Sequence, residues 1–386
     1  MYARIKKMLP YQRRSQRRAE KQKHLLAVLV AIAKKKRQEL EMAKTASSTS
    51  VAEVEVEKPA IINQEVLIMD TFVNSRETRY KMIINNDQKV SWELCERLEK
   101  RPNIHSSKIS SICWKNIVLS FDSHAFVADE TSECYNILTK KSFVIGHKFP
   151  NSFPNLKDFV LAELNDKLYM IGGRYYEDST KQYVKSDRVF CRNLLSKECI
   201  WVEQKERLNH SRSNASVTTH QGKIVLAGGI DSNLEYLTSI EVFDPHMGIW
   251  QEEGNLARPG DFDAGVQVIM SINNNLYAIG SGYTKGMWIE TRDEHTGKWL
   301  IIGSLQEGCG NRCGCAIVAC ETTIYFIGGG TSSMMMNNTN NESSWNSFNM
   351  DTCTWASETE RYRSSFHRPL PGKFSRGGAI CITTRD

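Results

Sequence analysis

The densest group of chemically capable side chains is Cys309, Cys313, Cys315 and Cys320, spaced C-x3-C-x-C-x4-C. Thiols at that density suit a metal ion or a redox centre, and the i, i+2 spacing of Cys313 and Cys315 puts both on one face of a strand. Zinc sites usually offer paired C-x2-4-C knuckles instead, so no metal is expected. Two fates stay open for these thiols. They are buried as small apolar groups, or Cys309 and Cys313, flanked by glycine and Arg312, form an accessible redox sensor. The nine histidines are scattered, without an H-E-x-x-H pair. Gly280-Ser281-Gly282 follows an apolar strand but leads into YTKGMW, not an amphipathic helix, so it makes a poor phosphate cradle. There is no G-x-S-x-G elbow for acyl transfer. Neither a reaction centre nor a cofactor is expected.

The remaining candidates would read a partner instead of transforming it. Arg212, Arg312 and Arg376 each stand just ahead of a similar apolar strand, as in RSNASVTTHQG and RGGAICITTRD. Three guanidiniums at one level could hold Asp, Glu or phosphate by bidentate hydrogen bonds; equally, such an arginine could bridge neighbouring structural units. Arg174, Tyr175, Tyr176, Arg258 and Tyr283 fall in variable segments beside these strands, and tyrosine and arginine are the side chains that dominate recognition hot spots. Positions this far apart in sequence share a surface only if a repeating architecture brings them together.

Such a repeat is present. LYMIGG ends at Gly172 and Gly173, IVLAGG at Gly228 and Gly229, LYAIGS at Gly280, and IYFIGG at Gly328 and Gly329. Two weaker copies, VLIMDT with Asp70 and IVLSFD with Phe121, precede them, and the six anchors are 51, 51, 56, 52 and 48 residues apart. A period near 50 indicates propeller blades in place of shorter helical repeats. Within each unit an apolar strand leads through a two-residue turn (Asn165-Asp166, Gln221-Gly222, Asn273-Asn274) into the glycine-ended strand, which is a β-hairpin. A variable loop, a third strand, a polar turn and a tryptophan follow: Trp201, Trp250, Trp299 and Trp355, with Trp92 and Phe143 in the earlier copies. Paired glycines allow a sharp backbone turn with φ > 0, and each tryptophan offers a broad apolar face to pack between blades.

On these residues the chain resembles the Kelch repeat family, with VFDPHMGIW (Val242 to Trp250) the nearest copy of its pattern and residues 158 to 357 the best-fitting stretch. The expected fold is an all-β, six-bladed Kelch-type propeller over residues 63–386. Its tail, residues 376–386, reads as an inner strand without a partner and Val66 to Met69 as a second strand without a first, so pairing them closes blade one. The resemblance implies that the loops after the glycine pairs and the loops ahead of the inner strands share a face and read acidic peptide segments. It implies a substrate receptor of a cullin-type ubiquitin ligase, as in BTB-Kelch adaptors, or an actin-associated Kelch protein. No BTB domain is read in this sequence, which leaves open a chain that continues upstream.

The charge balance sets the amino-terminal segment apart. Residues 1–45 hold 14 Lys and Arg against 3 Glu, net +11, while the remainder holds 36 against 41, net −5, so the overall +6 belongs to the tail. Rich in Ala, Leu, Lys, Arg and Gln, this segment reads as a basic helix, with residues 46–62 as a linker. Its clusters Arg13, Arg14, Arg17, Arg18 and Lys34 to Arg37 fit a nuclear signal, an acidic-surface or nucleic-acid contact, or a solvated helix with no receptor. Its longest apolar run, Leu25 to Ala33, spans about half a bilayer, so no membrane span is expected. An odd count of eleven cysteines without a secretory pattern suggests a cytoplasmic or nuclear protein with reduced thiols.

Overall fold

The computed structural model describes residues 64–73, 76–84, 90–97, 109–122, 131–258, 266–282, 286–305, 312–313, 316–327, 330–331, 345–355 and 378–383. The chain divides into two units, Met1–Ala60 and Ile61–Asp386. The basic segment, the linker, Tyr283, Gly328, Gly329, Arg376 and the Met334 to Met336 run lie outside the described residues.

Every regular element among those residues is a β-strand. They form six four-stranded antiparallel sheets, the blades of a propeller. Blade three has its strands at Val160–Leu164, Lys167–Ile171, Val189–Asn193 and Val202–Glu203; blade four at Ser216–His220, Lys223–Ala227, Ser239–Asp244 and Ile249–Asn255. Blades two, five and six repeat this plan from Ile109, Val266 and Ala316. Blade one takes its inner strand from the carboxyl end: Gly378–Thr383 pairs antiparallel with Gln64–Val73, with Val66 opposite Cys381 and Met69 opposite Gly378. The ring is thus closed by hydrogen bonds between the two ends of the propeller.

Local backbone chemistry explains the recurrence. The turn pairs Asn165-Asp166, Gln221-Gly222 and Asn273-Asn274 all have positive φ at both residues, the conformation that matches the twist of a two-residue hairpin and that Asn, Asp and Gly tolerate best. On the outer side an Asx residue organises the turn between third and fourth strands. Asp244 Oδ1 accepts the amide of His246, Asp293 Oδ1 that of Thr296 at 2.7 Å, and Asn136 Oδ1 that of Thr139.

The core lies in the seams between blades. Trp201 packs with Leu119, Phe121 and Cys134 of blade two and with Leu168 and Phe190 of its own blade. Trp250 does the same between blades three and four, Trp299 between four and five, and Trp355 between five and six. Truncating such a side chain to Ala costs about 3–5 kcal/mol. Blade two departs from this scheme: Phe143 is exposed on its outer strand. Phe121, which stands where later blades have glycine, is buried and lies against His147 and Trp201, at ring-centroid distances of 5.1 and 6.2 Å.

Candidate functional site: the loop rim

The two loop sets meet on one face. Lys157, ahead of the inner strand of blade three, bridges to Arg174 just after its glycine pair, and Ser213 bridges to Ile230 in the same way in blade four. In blade six Arg312–Cys313 pairs with Gly330–Thr331. The glycines permit this approach. Gly173 has φ 97°, and a Cβ there would stand 2.7 Å from the carbonyl oxygen of Lys157; a Cβ on Gly172 would stand 2.7 Å from that of Arg212 in the next blade. Gly280 serves differently. Its φ is not positive, its strand runs on to Gly282, and a Cβ would fall 2.4 Å from the ring of Trp288.

Blade three carries the most elaborate rim element, a hairpin of Arg174–Glu177 and Gln182–Lys185. Tyr176 and Tyr183, paired across it, stack edge to face at 5.4 Å, and each is 47% exposed. The Arg174 guanidinium lies 4.9 Å from the Tyr183 ring centroid and pairs with the buried Asp158 carboxylate at 2.6 Å. Lys157 Nζ donates to Tyr183 Oη at 3.3 Å. The neighbouring rim arginines are already neutralised: Arg188 by Glu203, with Nε donating to Oε1 at 2.7 Å, and Arg207 by Asp187 at 3.1 Å. The Arg188 hydrogen bonds hold the Glu203 carboxyl below its ordinary range. Lys157 forms no ion pair among the described residues, and its ammonium lies 5.4 Å from the ring centroid of the exposed Tyr183.

Residues 211–257 match the family model of the Kelch motif. No curated protein sequence matches the chain. The solved structure of YjhT superposes with a TM-score of 0.55 over 70% of this chain and 86% of that one, at 13% identity. The chain is a β-propeller in which residues 211–257 match the Kelch motif. Identity that low speaks to fold alone, and this fold hosts many unrelated functions.

Placed on the propeller, the sequence-derived site residues separate. Arg174, Tyr175 and Tyr176 come together on the blade-three hairpin; Tyr175 is half-buried against the seam with blade two, which leaves Tyr176 as the exposed ring of the three. Arg258 lies over the Trp288 ring at 5.7 Å, in another part of the rim. Arg312 is placed by its backbone only, in the rim pairing of blade six. Arg212 is a correction. Expected as a recognition residue or a bridge between units, it is fully buried, as is its partner Glu241. Its guanidinium donates to the carbonyl oxygens of Gly228 at 2.8 Å and Ser239 at 3.1 Å, to Ser239 Oγ at 2.9 Å and to Glu241 Oε1 at 2.6 Å. Arg212 ties the entry of blade four to its second and third strands and presents nothing to a partner. Of the cysteine cluster, Cys320 is buried, and no group of three or more His, Cys, Asp or Glu converges among the described residues.

Two features of the propeller escaped the sequence reading. Tyr183 sits opposite Tyr176, and only the hairpin register joins them. Glu241 and Glu290 are buried carboxylates at the same place in blades four and five. Glu241 accepts the amides of Asn209 at 2.7 Å and His210 at 3.1 Å; Glu290 accepts the amide of Ala257 at 2.7 Å and Trp288 Nε1–H at 2.8 Å. Each holds the chain entering its own blade. Burial pushes the Glu290 carboxyl up, against the pull of those donors. The signal was present as a second repeat, I-E-x-x-D, at Ile240 to Asp244 and Ile289 to Asp293.

Proposed function

We propose that this Kelch propeller is a non-catalytic protein-interaction scaffold that grips an acidic, extended segment of a partner through the blade-three rim hairpin. The observation that supports this reading is the exposed Tyr176–Tyr183 pair beside the Lys157 ammonium, which has no carboxylate partner among the described residues. Tyrosine supplies large contact area at low entropy cost, and an exposed ammonium offers a charge-assisted hydrogen bond to an acidic acceptor of the partner.

Within this reading the role we propose is substrate recognition for a cullin-type ubiquitin ligase in the cytoplasm. The support is the resemblance to the propellers of such adaptors, together with thiols outside any disulfide such as Cys134 and Cys191. Association with actin is the alternative that the same resemblance suggests. Affinity capture with the full chain and with a Lys157→Ala, Tyr176→Ala, Tyr183→Ala variant of unchanged melting midpoint tests both levels. A protein retained by the parent and lost by the variant supports the rim reading, and the appearance of cullin subunits or of actin separates the two roles. Equal capture by both forms refutes the rim reading.

A further inference from the structure

The outer strand of blade two, Lys141–Gly146, pairs with Thr131–Asn136 on one side and with no other strand among the described residues. Successive side chains of a strand point to opposite faces. Phe143 is 40% exposed and Val144 63%, so neither face of this strand is covered. In blade four the same strand has one face closed, because Trp250 is buried in the seam beside the exposed Ile249. The register supplies the cause: Phe243 faces Trp250 and Phe348 faces Trp355, whereas Tyr135 faces Ser142. Where other blades pin the outer strand with an indole, blade two has a serine. Leu138, in the turn leading into the strand, adds a further exposed apolar side chain.

Native sheets commonly protect such an edge with a charge or a proline inside it, and Ser142 to Gly146 has neither. The charges stand at its ends and have one sign. Lys140 and Lys141 open the strand and Lys148 follows it, all three exposed, and none of them forms an ion pair among the described residues. From Cys134 to Lys157 the sequence contains no Asp or Glu. The carboxylate on the neighbouring strand, Glu133, is half-buried. The strand is therefore an apolar edge between basic ends.

We propose that this strand is a second docking edge, which takes up an extended acidic segment of a partner protein as a fifth strand of blade two. The backbone groups along the edge pair with those of the segment, and Phe143 and Val144 receive its apolar side chains on the two faces. The lysines at both ends select acidic flanks, so the occupant is a run of β-branched residues bordered by Asp or Glu. This edge is separate from the blade-three rim and does not depend on it.

The test is fluorescence anisotropy at physiological ionic strength, titrating the full chain into a labelled peptide that has a short run of β-branched residues between paired glutamates. The expected result is saturable binding that weakens about tenfold or more in a Phe143→Ser, Val144→Ser variant. A proline at the centre of the peptide removes a backbone donor and should weaken binding as much. The Lys157→Ala, Tyr176→Ala, Tyr183→Ala variant should bind the peptide unchanged, so a failure of the edge and a failure of the rim are read separately. No saturable binding, equal affinity for the strand variant or for the proline peptide, or loss of binding in the rim variant overturns the proposal. A peptide held by the basic amino-terminal segment would give the equal affinities. Should the strand variant not fold, Lys140→Glu with Lys141→Glu decides: weaker binding supports the edge, and equal affinity overturns it.

Discussion

Replacing Arg212 by methionine separates folding from recognition at a position where the two were confounded. The substitution keeps much of the side-chain volume but leaves Glu241 buried at 0% exposure with its cation gone. Breaking a buried pair by removing one partner costs about 3–5 kcal/mol, because the surviving charge is uncompensated. The carbonyls of Gly228 and Ser239 lose their donor as well, at about 1 kcal/mol or more each if no water replaces it. Glu241 keeps the amides of Asn209 and His210, which sets the total nearer the lower figure. Against a typical stability of about 5–15 kcal/mol, the variant should unfold at a much lower urea concentration. Equilibrium urea unfolding measures this directly, and a double variant with Glu241→Leu should be less destabilised than the two single losses added together. A variant within about 0.5 kcal/mol of the parent that nevertheless loses a binding partner would falsify the structural assignment and return Arg212 to the rim.

Further outcomes follow from other contacts. His147 is held neutral by burial, with its folded pKa about 3 against an ordinary 6.5; below pH 6.5 the unfolded chain takes up the proton and the folded one does not. Stability is therefore full above pH 6.5 and falls by about 1.4 kcal/mol per unit below it, about 2 kcal/mol by pH 5, and a His147→Gln variant should lose this component in denaturation measured between pH 7 and 5. Gly280→Ala should lower the melting midpoint although its backbone is unstrained, since the new methyl meets the Trp288 ring, and overpacking of this kind costs about 1–3 kcal/mol; an unchanged midpoint counts against the packing described. Tyr176→Ala should leave stability within about 0.5 kcal/mol, as expected for an exposed site, while weakening partner capture about tenfold or more, measured by titration with the captured protein. Equal affinity would remove Tyr176 from the interface.

The repeat was legible in the chain because each blade solves the same local problems with the same residues. Asn165-Asp166 and Asn273-Asn274 tolerate positive φ by their own chemistry, Gly173 and Gly229 sit where only a missing Cβ lets two backbones meet, and the tryptophans recur because every seam needs a wide apolar face. Closure of blade one was also legible, since an unpartnered inner strand at one end and a missing one at the other have a single economical pairing. These are short-range demands, and sequence records them.

What a charged side chain does is decided by neighbours far along the chain. Position alone put Arg212 and Arg174 on the same rim; the structure buries the first against Glu241, 29 residues on, and sets the second over Tyr183 at the surface. The blade-three site exists only because a hairpin register brings Tyr183 to Tyr176 and a bridge to Arg174 brings Lys157 beside Tyr183. Period, turns and closure thus belong to the sequence, because backbone sterics and apolar patterning act over a few residues. Which arginine is a buried counter-ion and which lies at the surface belongs to the tertiary structure, because the dielectric and the partners around a charge are set by whichever strands are packed against it.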